Sequence, residues 1–299
     1  MHKNISKNIY KTKIIDKTIL SIEGKDKVEF LQNLISNNME LVSNTKSIYS
    51  TLLNPQGKFL FDFIIFKGNE KESLYLECDK NRSEELIKLL NMYKLRKDVK
   101  FSVIENITIY LIYGEYQFLL SSFNLKHTEG STSHMNNNIF LIDPRNKKLG
   151  IRLYSNNDKL PAEISDIGNK SIKNYETIRI NLVIPDSNKD LEVGKSFLLE
   201  NNFEIMNAID FNKGCYIGQE NTARQKYRGT AKKLLTKIEI EGKTLSMGNE
   251  IKLDNRKVGV VRSITENIGL ATIRREVYEE YKSKNKYIKI AESKIKFIK

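Results

Sequence analysis

Lys213-Gly214-Cys215-Tyr216-Ile217-Gly218-Gln219-Glu220 sets one of only two cysteines in 299 residues between two glycines, with Lys213 behind it and Arg224, Lys226 and Arg228 ahead. Glycine has no Cβ, so the backbone on both sides of the sulfur is free to take positive φ and to let a ligand come close. Cationic neighbours favour thiolate over thiol, as does a helix N-terminus, which the sequence allows near Glu220. The pattern points to a reactive, accessible Cys215. A buried packing cysteine, the usual condition of a free thiol, has no need of flanking glycines, an adjacent lysine and a Gln-Glu pair four residues on.

Around this stretch, composition sets limits. The length fits roughly two domains of about 150 residues. No apolar run approaches the ~20 residues of a membrane helix. Cys78 and Cys215 offer neither a disulfide framework nor a zinc-type pair, which fits a reducing compartment. The N-terminal MHKNISKNIYKTKIID has neither an apolar signal core nor an Arg- and Ser-rich presequence, and predicts a cytoplasmic protein. A net charge of +13 invites nucleic acid as a ligand. Yet only 11 of the 50 basic residues are Arg, the lysines are scattered, and no RNA- or DNA-binding motif is visible. Direct nucleic-acid binding is therefore not the leading expectation.

Taken in order, residues 14–22 read as a strand ending at Gly24, and 25–36 as an amphipathic helix with Val28, Leu31 and Ile35 on one face. Residues 47–53 form a strand that runs into the turn Asn54-Pro55-Gln56-Gly57. The strand 58–67 is apolar on both faces except for Asp62, which shares a face with Leu60, Ile64 and Phe66. A carboxylate there needs a structural partner, such as a backbone amide or Arg96, or a task as ligand contact or general base. A short strand follows over 74–78, with Cys78 as a packing residue. Asn81 or Ser83 caps a helix running to Leu95, and strands follow over 99–104 and 107–113. Residues 121–138 read as a polar loop with solvated His127 and His134. A helix spans 171–182. From 234 to the end, short apolar strands alternate with turns at Gly242, Gly248, Gly259 and Gly269, the pattern of a small antiparallel barrel or sandwich.

The octapeptide KGCYIGQE resembles the signature of the YgfZ-type folate-binding proteins, relatives of the glycine-cleavage T-protein that include the mitochondrial iron-sulfur assembly factor of the same fold. The stretch NPQGKFLFDFIIF over 54–66 is also similar, as are Leu95-Arg96, Asp143-Pro144-Arg145 and the LGIR that ends at Arg152. The resemblance implies an α+β, aminomethyltransferase-like fold of mixed sheets and helices around a central cleft. It further implies a folate-binding region over 1–229, in lobes of about 1–115 and 116–229, and a C-terminal β-barrel over 230–299.

By the same resemblance, Asp62, Arg145, Asn181, Glu200, Tyr216, Gln219 and Arg224 are the candidate folate contacts. Lys213, Gly214, Gly218 and Glu220 complete the motif around the catalytic candidate Cys215, and no metal ligands are assigned. Two departures stand out. Phe61 replaces the first of two acidic residues of the T-protein, and Asn181 and Val183 stand where the family has Glu and Gly. The implied function is a tetrahydrofolate-binding accessory factor in assembly or repair of iron-sulfur clusters, with client enzymes that include tRNA-modifying ones and with assembly scaffolds as partners. A permanently bound cluster is excluded by ligand count, since it takes about four thiolates. The alternatives are a folate-dependent one-carbon transferase built on Asp62 and a basic RNA-binding accessory protein.

Overall fold

The computed structural model describes residues 8–70, 72–156, 160–242 and 245–298. The chain divides into two compact units: Met1–Leu52, Phe61–Ile172 and Met206–Ile217 form the first, and Leu53–Leu60, Lys173–Ile205 and Gly218–Lys299 the second. This partition interleaves in sequence, unlike the linear division at 229/230 that the resemblance implies.

The first unit holds two antiparallel five-stranded sheets. One has the order β3 (Ile48–Leu53), β4 (Phe59–Lys67), β5 (Leu74–Asp79), β2 (Lys17–Glu23), β6 (Lys100–Ile104). The other has the order β1 (Ile9–Ile14), β7 (Thr108–Gly114), β10 (Ile151–Ser155), β9 (Asn138–Ile142), β8 (Thr132–Met135). The strand expected over 14–22 is β2, whereas β1 before it, which enters the other sheet, was not expected. Helix α1 (Lys27–Gln32) is shorter than expected, and Val28 faces solvent while Phe30 and Leu31 are buried. The short helix unwinds because the segment beyond it spends its backbone groups on tertiary partners, Ser36 N–H donating to Thr51.

Helix α2 (Ser83–Lys94) buries Leu86 and Leu90, but neither expected cap forms: Ser83 Oγ donates backward to Lys80, and Asp79 accepts the Arg82 amide instead. His134 lies in β8 rather than on a polar loop and bonds the Lys67 carbonyl. A short helix α3 (Ala162–Ser165) follows β10.

In the second unit, α4 (Ile172–Asn181), α5 (Ser187–Asp190) and α6 (Gln219–Arg228) precede a six-stranded antiparallel sheet. Its order is β12 (Glu250–Leu253), β13 (Arg256–Thr265), β14 (Ile268–Arg274), β11 (Lys233–Gly242), β16 (Ser293–Ile298), β15 (Ile288–Ile290). The edge strands β12 and β15 approach each other, so the sheet is a near-closed barrel, as expected. Two of the four glycines read as turns, Gly259 and Gly269, instead lie within paired strands. The reversal between β12 and β13 is made by Asp254-Asn255, both at positive φ, the geometry of a two-residue type I′ hairpin. The helix α7 (Arg275–Ser283) was not expected, and it lays Val277, Tyr278 and Tyr281 on the barrel core.

Candidate functional site

Cys215 is free and exposed, whereas Tyr216 next to it is buried. The thiol stands out because the loop behind it is fastened at several points. Asn37 Nδ2 donates to the Asn207 and Tyr49 carbonyls at 2.7 and 2.8 Å, and Ser36 Oγ donates to the Ala208 carbonyl at 2.6 Å. Asp210 Oδ1 accepts the Asn212 and Lys213 amides at 2.7 and 3.2 Å, closing a turn.

Lys213 completes the brace. Its ammonium is buried and donates to the Gln32, Ile35 and Asn37 carbonyls, each at 2.7 Å, and lies 5.2 Å from the Tyr216 ring centroid. Burial lowers its pKa to about 8, against the opposing pull of Asp210. The basic surroundings read from sequence are therefore spent elsewhere. Lys213 holds carbonyls left open beyond α1, Arg224 pairs with Glu220 at 2.7 Å, and Lys226 pairs with Glu204.

The glycines also divide. Gly214 has open space around it and no positive φ, so its expected backbone role is not used. Gly218, the N-cap of α6, has φ 82°, and Gly57 has φ 72°. A Cβ on Gly218 would fall 2.6 Å from the Asn54 carbonyl oxygen, and one on Gly57 would fall 2.9 Å from the Gly218 oxygen. The turn 54–57 and the start of α6 thus cross backbone on backbone, and Asn221 Nδ2 locks the crossing by donating to the Gln56 carbonyl at 2.9 Å. Gln219 is the first residue of α6.

A second polar assembly lies in the first unit. Asp62 is half-buried and accepts the Tyr49 hydroxyl at 2.8 Å. Its partner is therefore Tyr49, not Arg96. Burial first, and Asp62 next, push the Tyr49 hydroxyl pKa well up. Arg145, the candidate anion contact, closes its fork on Asp143 at 3.0 and 2.8 Å. Arg152 reaches Asp143 at 2.9 Å and grips both Glu77 oxygens at 2.6 and 2.8 Å, and the Tyr154 hydroxyl donates to Glu77. Burial would raise the Asp143 carboxyl, but the two guanidinium groups overrule it and hold it well below the usual carboxylate range. Glu77 was missed in the sequence, although a Glu inside the apolar LYLEC carries the same signal as Asp62. Cys78 beside it is buried, and burial pushes its thiol up to about 12. Phe61 is buried under the Arg82 guanidinium, 4.1 Å from the ring centroid.

In the second unit Asn181 is exposed at the end of α4 and accepts from Lys237 Nζ at 3.3 Å. Glu200 accepts the Lys232 and Lys233 amides at 3.1 and 3.2 Å. Val183 has φ 55°, which explains why a glycine suits this position and makes the β-branched residue here a strained one. Tested as a folate-binding set, Arg145 has its fork closed on Asp143, and Asn181 Oδ1 and Glu200 Oε1 are engaged within the protein. Asp62 and Glu200 each keep one uncommitted acceptor, Oδ1 and Oε2. One carboxylate oxygen in each unit does not make a pterin-binding donor set. Among the described residues no group of three His, Cys, Asp or Glu side chains is placed to hold a metal ion.

No family model matches the chain. The iron-sulfur cluster assembly factor IBA57 homolog of Neurospora crassa, a mitochondrial protein, is 32% identical over 234 residues, which cover 74% of this chain and 52% of that protein. The human mitochondrial iron-sulfur cluster assembly factor IBA57 is 28% identical over 273 residues, 86% of this chain and 75% of that protein. The chain thus spans about half the length of the first relative and three quarters of the second. Among solved structures, the glycine cleavage system aminomethyltransferase T of Bartonella henselae superposes with a TM-score of 0.76 at 12% identity, over 98% of this chain and 85% of that one. That likeness is one of fold. The homologues of this chain are therefore iron-sulfur assembly factors, and its architecture is that of the aminomethyltransferase. The relatives are mitochondrial, which overturns the cytoplasmic placement. Two unpaired thiols report a reducing milieu rather than a compartment, and residues 1–7 of the N-terminal stretch lie outside the described residues.

Proposed function

We propose that this protein is an accessory factor in the assembly or repair of iron-sulfur clusters in client enzymes, tRNA-modifying ones among them, and that Cys215 is its working group. The observation that carries this reading is an exposed free thiol on a loop whose flanks are tied down by Lys213, Asp210 and Asn37. A cluster takes about four thiolates, and the other cysteine of this chain is buried. The cluster is then cargo. Cys215 supplies one sulfur ligand by exchange, replacing one thiolate of the donor, while the remaining ligands come from donor and client, and no electron is transferred. The brace matters because a loose loop would pay the ordering entropy of the thiol at each exchange.

The test is client activation from a cluster-loaded scaffold. Cys215→Ser should lose about tenfold or more in the rate of activation with an unchanged unfolding midpoint. Activation at the wild-type rate would overturn the assignment. Calorimetric titration of the same two proteins with tetrahydrofolate tests the folate expectation.

A second reading, a one-carbon transferase, is favoured by Asp62, half-buried with one oxygen uncommitted. It predicts methylene-tetrahydrofolate formation that survives Cys215→Ser and is lost in Asp62→Asn. The two readings therefore separate on which residue is indispensable.

A further inference from the structure

The turn that follows α2 carries a backbone strain that burial does not explain. The Lys97 amide donates to the Lys94 carbonyl at 2.8 Å, and Leu95, second in this turn, has φ 47° and ψ −108°. These are the angles of the second position of a type II′ turn, where glycine is the usual occupant, and a leucine held there is strained. The strain does not serve the core, because Leu95 is 86% exposed. It holds the leucine at the lip of a cavity of about 740 Å³, within the size range of ligand sites.

Phe30, Leu34 and Tyr93 form the rest of the apolar lining, with Asn33 and Arg96 at its polar edge, and no carboxylate lines it. Lys94 donates to the Val99 carbonyl at 3.1 Å and Lys97 to Glu29 at 2.5 Å. Arg96, by contrast, is exposed and has no hydrogen-bond or ion-pair partner among the described residues. An apolar floor with one uncommitted guanidinium is complementary to an apolar side chain beside a carboxylate, the pairing that Arg takes bidentately.

We propose that this groove docks a segment of a partner protein in which Asp or Glu stands beside Leu or Phe. The apolar side chain covers Leu95, Phe30 and Leu34, and the carboxylate takes the Arg96 fork. A free small carboxylate would leave the exposed leucine wet, so a chain segment fits better. The groove wall is tied to the loop that carries Cys215, because Lys213 bonds the Gln32 and Ile35 carbonyls that flank Asn33 and Leu34. It does not depend on the thiol, however, and goes beyond the reading built on it.

The experiment is selection of phage-displayed random dodecapeptides on the immobilised full chain, followed by titration of a synthetic copy of the best binder. The retained peptides should pair Asp or Glu with a nearby Leu or Phe. Binding should weaken with salt and fall about tenfold or more in Arg96→Glu and in Leu95→Gly. Glycine relieves the turn, so Leu95→Gly should unfold at a higher temperature than wild type while binding less, which separates docking from folding. Cys215→Ser should bind as wild type does. Peptides without acidic residues, binding indifferent to Arg96→Glu and Leu95→Gly, or loss of binding in Cys215→Ser would each overturn the proposal.

Discussion

Arg152 in the first unit and Arg179 in the second are both buried guanidinium groups, yet their surroundings differ in one respect that separates framework from site. Arg179 closes its network. Nε and Nη2 take both Glu176 oxygens, Nη1 takes Asp190 and the Ile184 carbonyl, and Nη2 also reaches Ser263 Oγ. Asp190, fully buried, spends its own oxygens on Arg179 and on the Ser263 and Asp186 amides. Nothing is left over. Arg152 instead begins a chain that passes through Asp143 to Arg145, whose guanidinium lies 5.7 Å from the Tyr49 ring centroid. Tyr49 in turn donates to Asp62. That chain ends on a half-buried carboxylate with an oxygen to spare. A saturated network stabilises, and one that stops short leaves an acceptor for chemistry.

The comparison can be broken most severely at Arg179. Arg179→Met should cost about 3–5 kcal/mol, because it leaves Asp190 buried without its counter-charge. A loss below about 1 kcal/mol in urea unfolding would mean that the network is not the keystone of its unit. Lys213→Met should cost about 2–3 kcal/mol, since three carbonyls lose their donor at once. It should also make alkylation of Cys215 heterogeneous in rate, where wild type gives a single phase. Tyr49→Phe should cost only about 1 kcal/mol, one hydrogen bond to a half-buried acceptor. Its use is to sharpen the contrast: if it costs as much as Arg179→Met, the Asp62 end is framework too.

A pH slope is expected as well. Lys213 has its pKa lowered from 10.5 to about 8. Between those values the unfolded chain binds a proton that the folded chain has released, so stability rises with pH across the window. The difference in denaturant midpoint between wild type and Lys213→Met should therefore change in favour of wild type from about pH 8 to pH 10. A flat difference would refute the burial of the ammonium.

Much of the fold was legible because its signals are local. The apolar run of β4, the turn before it and the barrel's alternating strands each depend on neighbouring residues. The helix α7 was legible too, through Val277, Tyr278 and Tyr281 at helical spacing, and so was the Asp254-Asn255 hairpin, but the glycines nearby drew the turn assignments. The need of Asp62 for a partner followed from its place among apolar residues. Its partner did not, because choosing Tyr49 over Arg96 requires the packing of β3 on β4. The thiol motif shows the same limit. A lysine beside a cysteine reads as a tuning charge, and only the folded chain shows that its donors are consumed by carbonyls.

By itself the sequence determined that Cys215 lies in a special loop, that Gly57 and Gly218 occupy turns, and that Asp62 is an anomaly in its strand. These follow from backbone conformation and burial cost, which act within a few residues. Tertiary structure decided what each group does. Lys213 meets Gln32 across 181 residues of sequence, and Gly57 and Gly218 face each other with no room for a Cβ between them. Hydrogen bonds and close packing act over a few ångströms in space with no regard for separation along the chain, so they are settled only when the sheets bring distant segments together.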